Sequence, residues 1–138
     1  MTIAIARGTN ISHWLSQSDK RGDARAAWFT RDDVLRIAEW GFDHIRLPID
    51  EEQLWDEHGR QEAAAWDLLD AGLDWALAAG LNVVVDLHIL RNHSFGQADE
   101  PALFREPAEA ERFIGLWRQL SERMHSRPCN RVAYELLN

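Results

Sequence analysis

Residues 131–138 read Arg131-Val132-Ala133-Tyr134-Glu135-Leu136-Leu137-Asn138. The stretch predicts a short apolar strand that delivers a polar residue, Asn138, at its C-terminal end. In a parallel barrel the chemistry sits at the C-terminal ends of the strands. Read that way, these eight residues bring an amide to a site.

Three earlier stretches have the same form, with helical segments between them. Ile3-Ala4-Ile5-Ala6 opens a first strand that ends near Asn10, before a loop carrying His13, Trp14 and Gln17. The polar run from Ser16 to Arg25 is expected to be irregular. Thr30 with Asp33 three residues on is a capping-box pattern. Val34, Ile37 and Ala38 then share a helical face, and Gly41 is placed as the stop. Phe42 to Ile49 predicts a second strand, ended by Pro48. An acidic loop with one Trp follows to about Ala65. Leu69, Leu73 and Ala76 share a face of a helix over Trp66–Ala79, closed by Gly80. Asn82-Val83-Val84-Val85-Asp86-Leu87-His88 predicts a third strand, and its valine run suits a parallel strand covered on both faces. After a loop over Ile89–Glu106, Pro107 suits the first turn of a helix. Phe113, Trp117, Leu120 and Met124 recur along that helix, which Arg127-Pro128 ends.

The order is β-α-β-α-β-α-β. Helix-to-strand joints are tight, whereas strand-to-helix loops are long and hold His, Trp and Phe. That asymmetry predicts an α/β fold, the first four units of a (β/α)8 TIM barrel, with residues 1–138 as the N-terminal half of one catalytic domain. A doubly wound sheet shares the alternation. No G-x-G-x-x-G follows the first strand, however, and no G-x-x-x-x-G-K-[ST] occurs.

Composition narrows the function. Of 138 residues 46% are hydrophobic and 28% charged, which fits a domain with a real core. Net charge is -8 and Lys20 is the only lysine. An acidic surface without a basic cluster argues against nucleic acid and against anionic membranes. No apolar run is long enough to span a membrane. Met1–Arg7 lacks the pattern of a signal peptide, so cytoplasmic residence is expected, or secretion if a leader precedes it. Cys129 is alone, so no disulfide within the chain is expected.

Arg46, His88 and Asn138 are placed at the ends of successive strands, on one rim. A guanidinium, an imidazole and an amide there suit a sugar, which presents many hydroxyls and reacts between two carboxylates. Each residue alone has a plain structural reading: half of an ion pair, a satisfied histidine, a turn. Their joint placement carries the inference. Asp86-x-His88 is a possible metal pair, but no second His-rich strand end accompanies it, so neither metal nor cofactor is expected. Trp14, Trp28 and Trp55 are candidates for stacking on sugar rings or for plugging the barrel ends.

These pieces resemble glycoside hydrolase family 5, the cellulase family. The matching segments are Arg7-Gly8-Thr9-Asn10 with Trp14-Leu15, Gly41 to Pro48, Val85-Asp86-Leu87-His88, and Tyr134 to Asn138. The resemblance implies a retaining β-glycosidase, such as an endo-β-1,4-glucanase, acting on a β-linked polysaccharide or oligosaccharide. In the family a glutamate directly after the matching Asn is the general acid/base, and a glutamate on strand seven is the nucleophile. Arg46 would hold and ionise the nucleophile, and His88 and Asn138 would bind hydroxyls at the reacting sugar. Asn10, Trp14, His93 and Phe95 would contact substrate. Many relatives carry a second His where this chain has Ile89, and His93 and Phe95 are placed to supply part of that wall. Glu135, three residues before the expected strand end, lies about 10 Å deeper at ~3.3 Å per residue. It reads as an interior carboxylate paired with a barrel Arg. Residues 1–138 hold neither catalytic glutamate, so alone they are expected to be inactive and to self-associate through open strand edges. Two other readings stand beside this one: a non-catalytic, sugar-binding or self-pairing half-barrel, and a metal-dependent (β/α)8 hydrolase.

Overall fold

The computed structural model describes residues 3, 5–93 and 100–138. Four strands, β1 (Gly8–Asn10), β2 (His44–Asp50), β3 (Asn82–Ile89) and β4 (Val132–Glu135), form one parallel sheet in the order β1-β2-β3-β4. Each strand pairs with its sequence neighbour, so there is no reversal of strand order. A doubly wound sheet requires such a reversal, and the sequential order is that of a (β/α) barrel.

The crossovers carry α1 (Gly22–Ala26) and α2 (Arg31–Glu39), then α3 (Glu51–Leu54) and α4 (Ala63–Ala78), then α5 (Ala102–Arg105) and α6 (Pro107–Met124). The three long helices stand where periodicity places them. α2 opens with the capping box, the Thr30 backbone N–H donating to Asp33 Oδ2 at 2.9 Å. Gly41 and Gly80 close α2 and α4 with φ of 80° and 86°, a conformation that glycine adopts without a Cβ penalty. The short helices α1, α3 and α5 lie in segments read as loops. They are single turns without an apolar period long enough to register.

One face of the sheet is apolar. Ile45, Leu47, Ile49, Val83, Val85 and Leu87 are fully buried against α2, α4 and α6. Strand alternation sends the other set, Asn10, Arg46, Asp86 and Glu135, to the concave face. Register aligns them, with Asn10 beside Arg46 and Asp86 beside Glu135. A barrel interior is usually packed with branched aliphatic residues; here Val84 and Ala133 share the face with four polar residues.

Pro48 does not end β2, which runs on to Asp50. The reason lies in parity. Arg46 O accepts from Ile11 N, and Asp50 N donates to Leu15 O, so even-numbered residues of β2 face the β1 side. β1 stops at Asn10, so Pro48 meets no strand there and no ladder bond is lost.

Gly72 lies inside α4, where propensity disfavours it. A Cβ there would stand 2.9 Å from Trp14 Cη2, an atom of a fully buried indole. Gly72→Ala is therefore expected to destabilise by about 1–3 kcal/mol through overpacking, outweighing the helix-propensity gain. A denaturant midpoint at or above wild type would contradict this packing.

Candidate active site

Arg46 organises the concave face. Its Nε donates to Glu135 Oε2 at 2.7 Å and its Nη2 to Glu135 Oε1 at 2.8 Å, a bidentate fork. Nη2 also lies 2.7 Å from Asp86 Oδ2 and donates to Asn138 Oδ1 at 2.8 Å, while Nη1 donates to Asn10 Oδ1 at 2.9 Å. One guanidinium thus joins β1, β2, β3, β4 and the segment after β4. Of its five N–H groups, one on Nη1 has no partner among the described residues.

Asp86 is the second junction. It is fully buried; its Oδ2 pairs with the Arg46 guanidinium and accepts a hydrogen bond from His88 Nδ1 at 2.7 Å. The imidazole therefore carries its proton on Nδ1 against this carboxylate. Burial pushes the Asp86 carboxyl above its usual range, against the opposing pull of His88 and Arg46. Glu135 moves the other way: the hydrogen bonds from Arg46 hold it below the ordinary glutamate range, and Glu135 in turn raises Arg46.

A depressed carboxylate contributes stability above its unfolded pKa and loses it as pH falls through the folded value. Glu135→Gln is thus expected to destabilise most at neutral pH. The gap to wild type should close as pH drops below about 4.3, the ordinary glutamate value. Thermal unfolding from pH 3 to 7 checks this, and a pH-independent gap would detach Glu135 from Arg46.

The strand-end placements need correction. Arg46 is the third residue of the seven in β2, and it reaches the site through the length of its side chain. β4 ends at Glu135, so Asn138 lies beyond the strand. Trp117 of α6 donates from Nε1 to Leu136 O at 2.8 Å, which turns the chain so that the Asn138 amide meets Arg46. β3 carries an irregularity: Ile49 pairs with Leu87 but Asp50 pairs with Ile89, leaving His88 as the extra residue. Such bulges re-aim a side chain.

Trp14, expected at the substrate, presents no surface to solvent in this fold. It is fully buried, its Nε1 donates to Arg25 O at 3.0 Å, and its ring packs 5.0 Å from Phe29. Trp55 is likewise buried, edge-on to Trp66. Trp28 is exposed, with Lys20 Nζ 4.0 Å over its ring. His93 lies in a turn closed by mutual backbone hydrogen bonds with Leu90 and is edge-on to Phe104 at 6.3 Å. Phe95 lies outside the described residues.

Two junctions escaped the sequence reading. Asp86 read only as half of a metal motif, although a D-x-H in a strand puts both side chains on one face, close enough to bond each other. Asp50, buried at the end of β2, accepts from Ser16 Oγ at 2.7 Å and from Gln17 N at 2.6 Å. Burial raises its carboxyl. Its parity with Arg46 was the available signal.

Residues 7–138 match the family Cellulase (glycosyl hydrolase family 5). The chain belongs to glycosyl hydrolase family 5. Cellodextrinase A of Ruminococcus flavefaciens is 31% identical over 135 residues, covering 97% of this chain and 40% of the relative. Endoglucanase C of Acetivibrio thermocellus is 31% identical over 139 residues, covering 99% and 40%. Among solved structures, Thermotoga maritima Cel5A in complex with cellobiose superimposes with a TM-score of 0.72 at 27% identity, over 97% of this chain and 40% of that one. The same Thermotoga protein has been solved with mannotriose, at the same score. The chain spans about 40% of the length of these relatives, and its four sequential strands are the first four of the family's barrel.

Proposed function

We propose that the protein is a retaining β-glycosidase of the endoglucanase type, hydrolysing a β-linked glucan, and that residues 1–138 supply the half of its site that holds the sugar. The observation that carries this reading is the Arg46 junction. A guanidinium bound to two carboxylates and two amides fixes a polar floor at the barrel mouth. His88 and Asn138 bind hydroxyls of the sugar at the scissile bond, and Asn10 extends that wall.

The retaining mechanism needs two carboxyls about 5 Å apart, one attacking and one shuttling a proton. By the family pattern the acid/base follows Asn138 and the nucleophile comes from strand seven. Glu135 is neither: both of its oxygens are committed to Arg46. The remaining Nη1–H of Arg46 is the donor available to the nucleophile. Substrate is an oligosaccharide or polysaccharide; the relatives' names, cellodextrinase and endoglucanase, support a β-1,4-glucan.

The test is the full-length protein on a soluble β-1,4-glucan, with the anomer of the first product read by proton NMR. The β-anomer appearing first is expected. First appearance of the α-anomer, or no hydrolysis, would contradict the reading.

A further inference from the structure

Among the described residues, two that are not glycine hold a positive φ: His13 at 60° and Gln17 at 51°. They are four residues apart, in the loop that leaves β1. L-residues with a Cβ visit this region at a cost, and such strain persists where the surroundings over-determine it, often at ligand-binding positions.

The surroundings here do over-determine it. Between the two strained residues, Trp14, Leu15 and Ser16 are buried. Trp14 is locked by Arg25 O and by packing on Phe29. Asp50 grips the next three residues: its N–H donates to Leu15 O at 2.8 Å, and its two carboxylate oxygens accept from Ser16 Oγ and Gln17 N. The loop is thereby laid along the upper part of β2. It starts where Ile11 N bonds Arg46 O and ends at Asp50, the last residue of the strand. That path is the rim of the concave face that holds the Arg46 cluster.

His13 and Gln17 are exposed on this clamped loop. His13 Nδ1 is 2.9 Å from Gln17 O. A carbonyl only accepts, so Nδ1 carries a proton; in that tautomer of the neutral imidazole Nε2 is the acceptor. The clamp serves the packing of Trp14 and Leu15, whereas the imidazole of His13 is on the surface and adds nothing to that core.

We propose that His13 is a specificity-determining residue of the glycan cleft, held at the rim to accept a hydrogen bond from a sugar hydroxyl beyond the scissile unit. This rests on the glycosidase reading above. It adds a contact that the Arg46 cluster does not make, and it explains why a histidine occupies a position that suits glycine.

The test uses the full-length protein, cellopentaose, and the variants His13→Gly and His13→Asn. Glycine relieves the strain and removes the acceptor. Asparagine tolerates positive φ and restores an acceptor oxygen. For His13→Gly, KM for cellopentaose is expected to rise at least about fivefold, with a smaller change in kcat and an unchanged or higher Tm. His13→Asn is expected to recover part of the loss. A His13→Gly protein with KM within about twofold of wild type would overturn the proposal. So would a fall in Tm with both variants equally impaired, which would make His13 structural. Calorimetric titration with cellopentaose separates this inference from the glycosidase reading. Weaker binding in His13→Gly supports it even if turnover is absent, and equal binding, or none in wild type, rejects it.

Discussion

Replacing Arg46 by lysine in the full-length protein is expected to lower kcat at least about tenfold, equivalent to ~1.4 kcal/mol of transition-state stabilisation. Arg46 makes a planar fork to Glu135 and reaches Asp86, Asn138 and Asn10 with its other donors. An ammonium is a single point with three donors and cannot reproduce that fork. Two carboxylates would be left less well neutralised, one of them fully buried. Both would take up protons more readily, because the cation that favours their charged forms is weakened. A nucleophilic carboxylate beside Arg46 would respond in the same direction. The acidic limb of the pH–rate profile should therefore move upward in the variant. A wild-type kcat with an unshifted limb would remove Arg46 from the reaction.

Trp14→Ala should cost about 3–5 kcal/mol of stability, the range for deleting a large buried aromatic. Trp14 has no exposed surface, fills the space against Phe29 and Gly72, and satisfies the Arg25 carbonyl. Truncation leaves a cavity and an unpaired carbonyl, and it releases the loop that carries His13. Trp28→Ala, at a half-exposed ring, should stay within about 1 kcal/mol of wild type. Denaturant midpoints of the two variants in the full-length protein measure the contrast. Equal midpoints would mean that Trp14 is not core. If Trp14→Ala kept its midpoint and lost only sugar affinity, Trp14 would return to the cleft.

The same residue shows where sequence stops informing. Trp14 follows Asn10 in a polar loop, and no period of apolar residues marks it as core. Its burial depends on Phe29 and on Gly72, 58 positions away, and such long-range complementarity leaves no local pattern. The strands and long helices were legible because their signals are local: a valine run, a capping box, glycine stops. The pairing of Glu135 with an arginine was expected from its depth below a strand end at Asn138, yet Glu135 is itself the last residue of β4. The role of Asp86 was not, because a D-x-H reads equally as a metal pair and as an internal hydrogen bond. Asn138 read as a strand end, and it is not one. The strand ends three residues earlier, and a hydrogen bond from Trp117 to Leu136 brings the amide to Arg46.

Arg46 also has a choice of carboxylate. Glu135 is held by two hydrogen bonds, which leaves one Nη1–H for the proposed nucleophile from strand seven. Labelling the full-length protein with an activated 2-deoxy-2-fluoro-β-cellobioside, followed by peptide mass mapping, tests this directly. One covalent adduct is expected, on a glutamate beyond residue 138, and no adduct in Arg46→Ala. An adduct on Glu135 would contradict it.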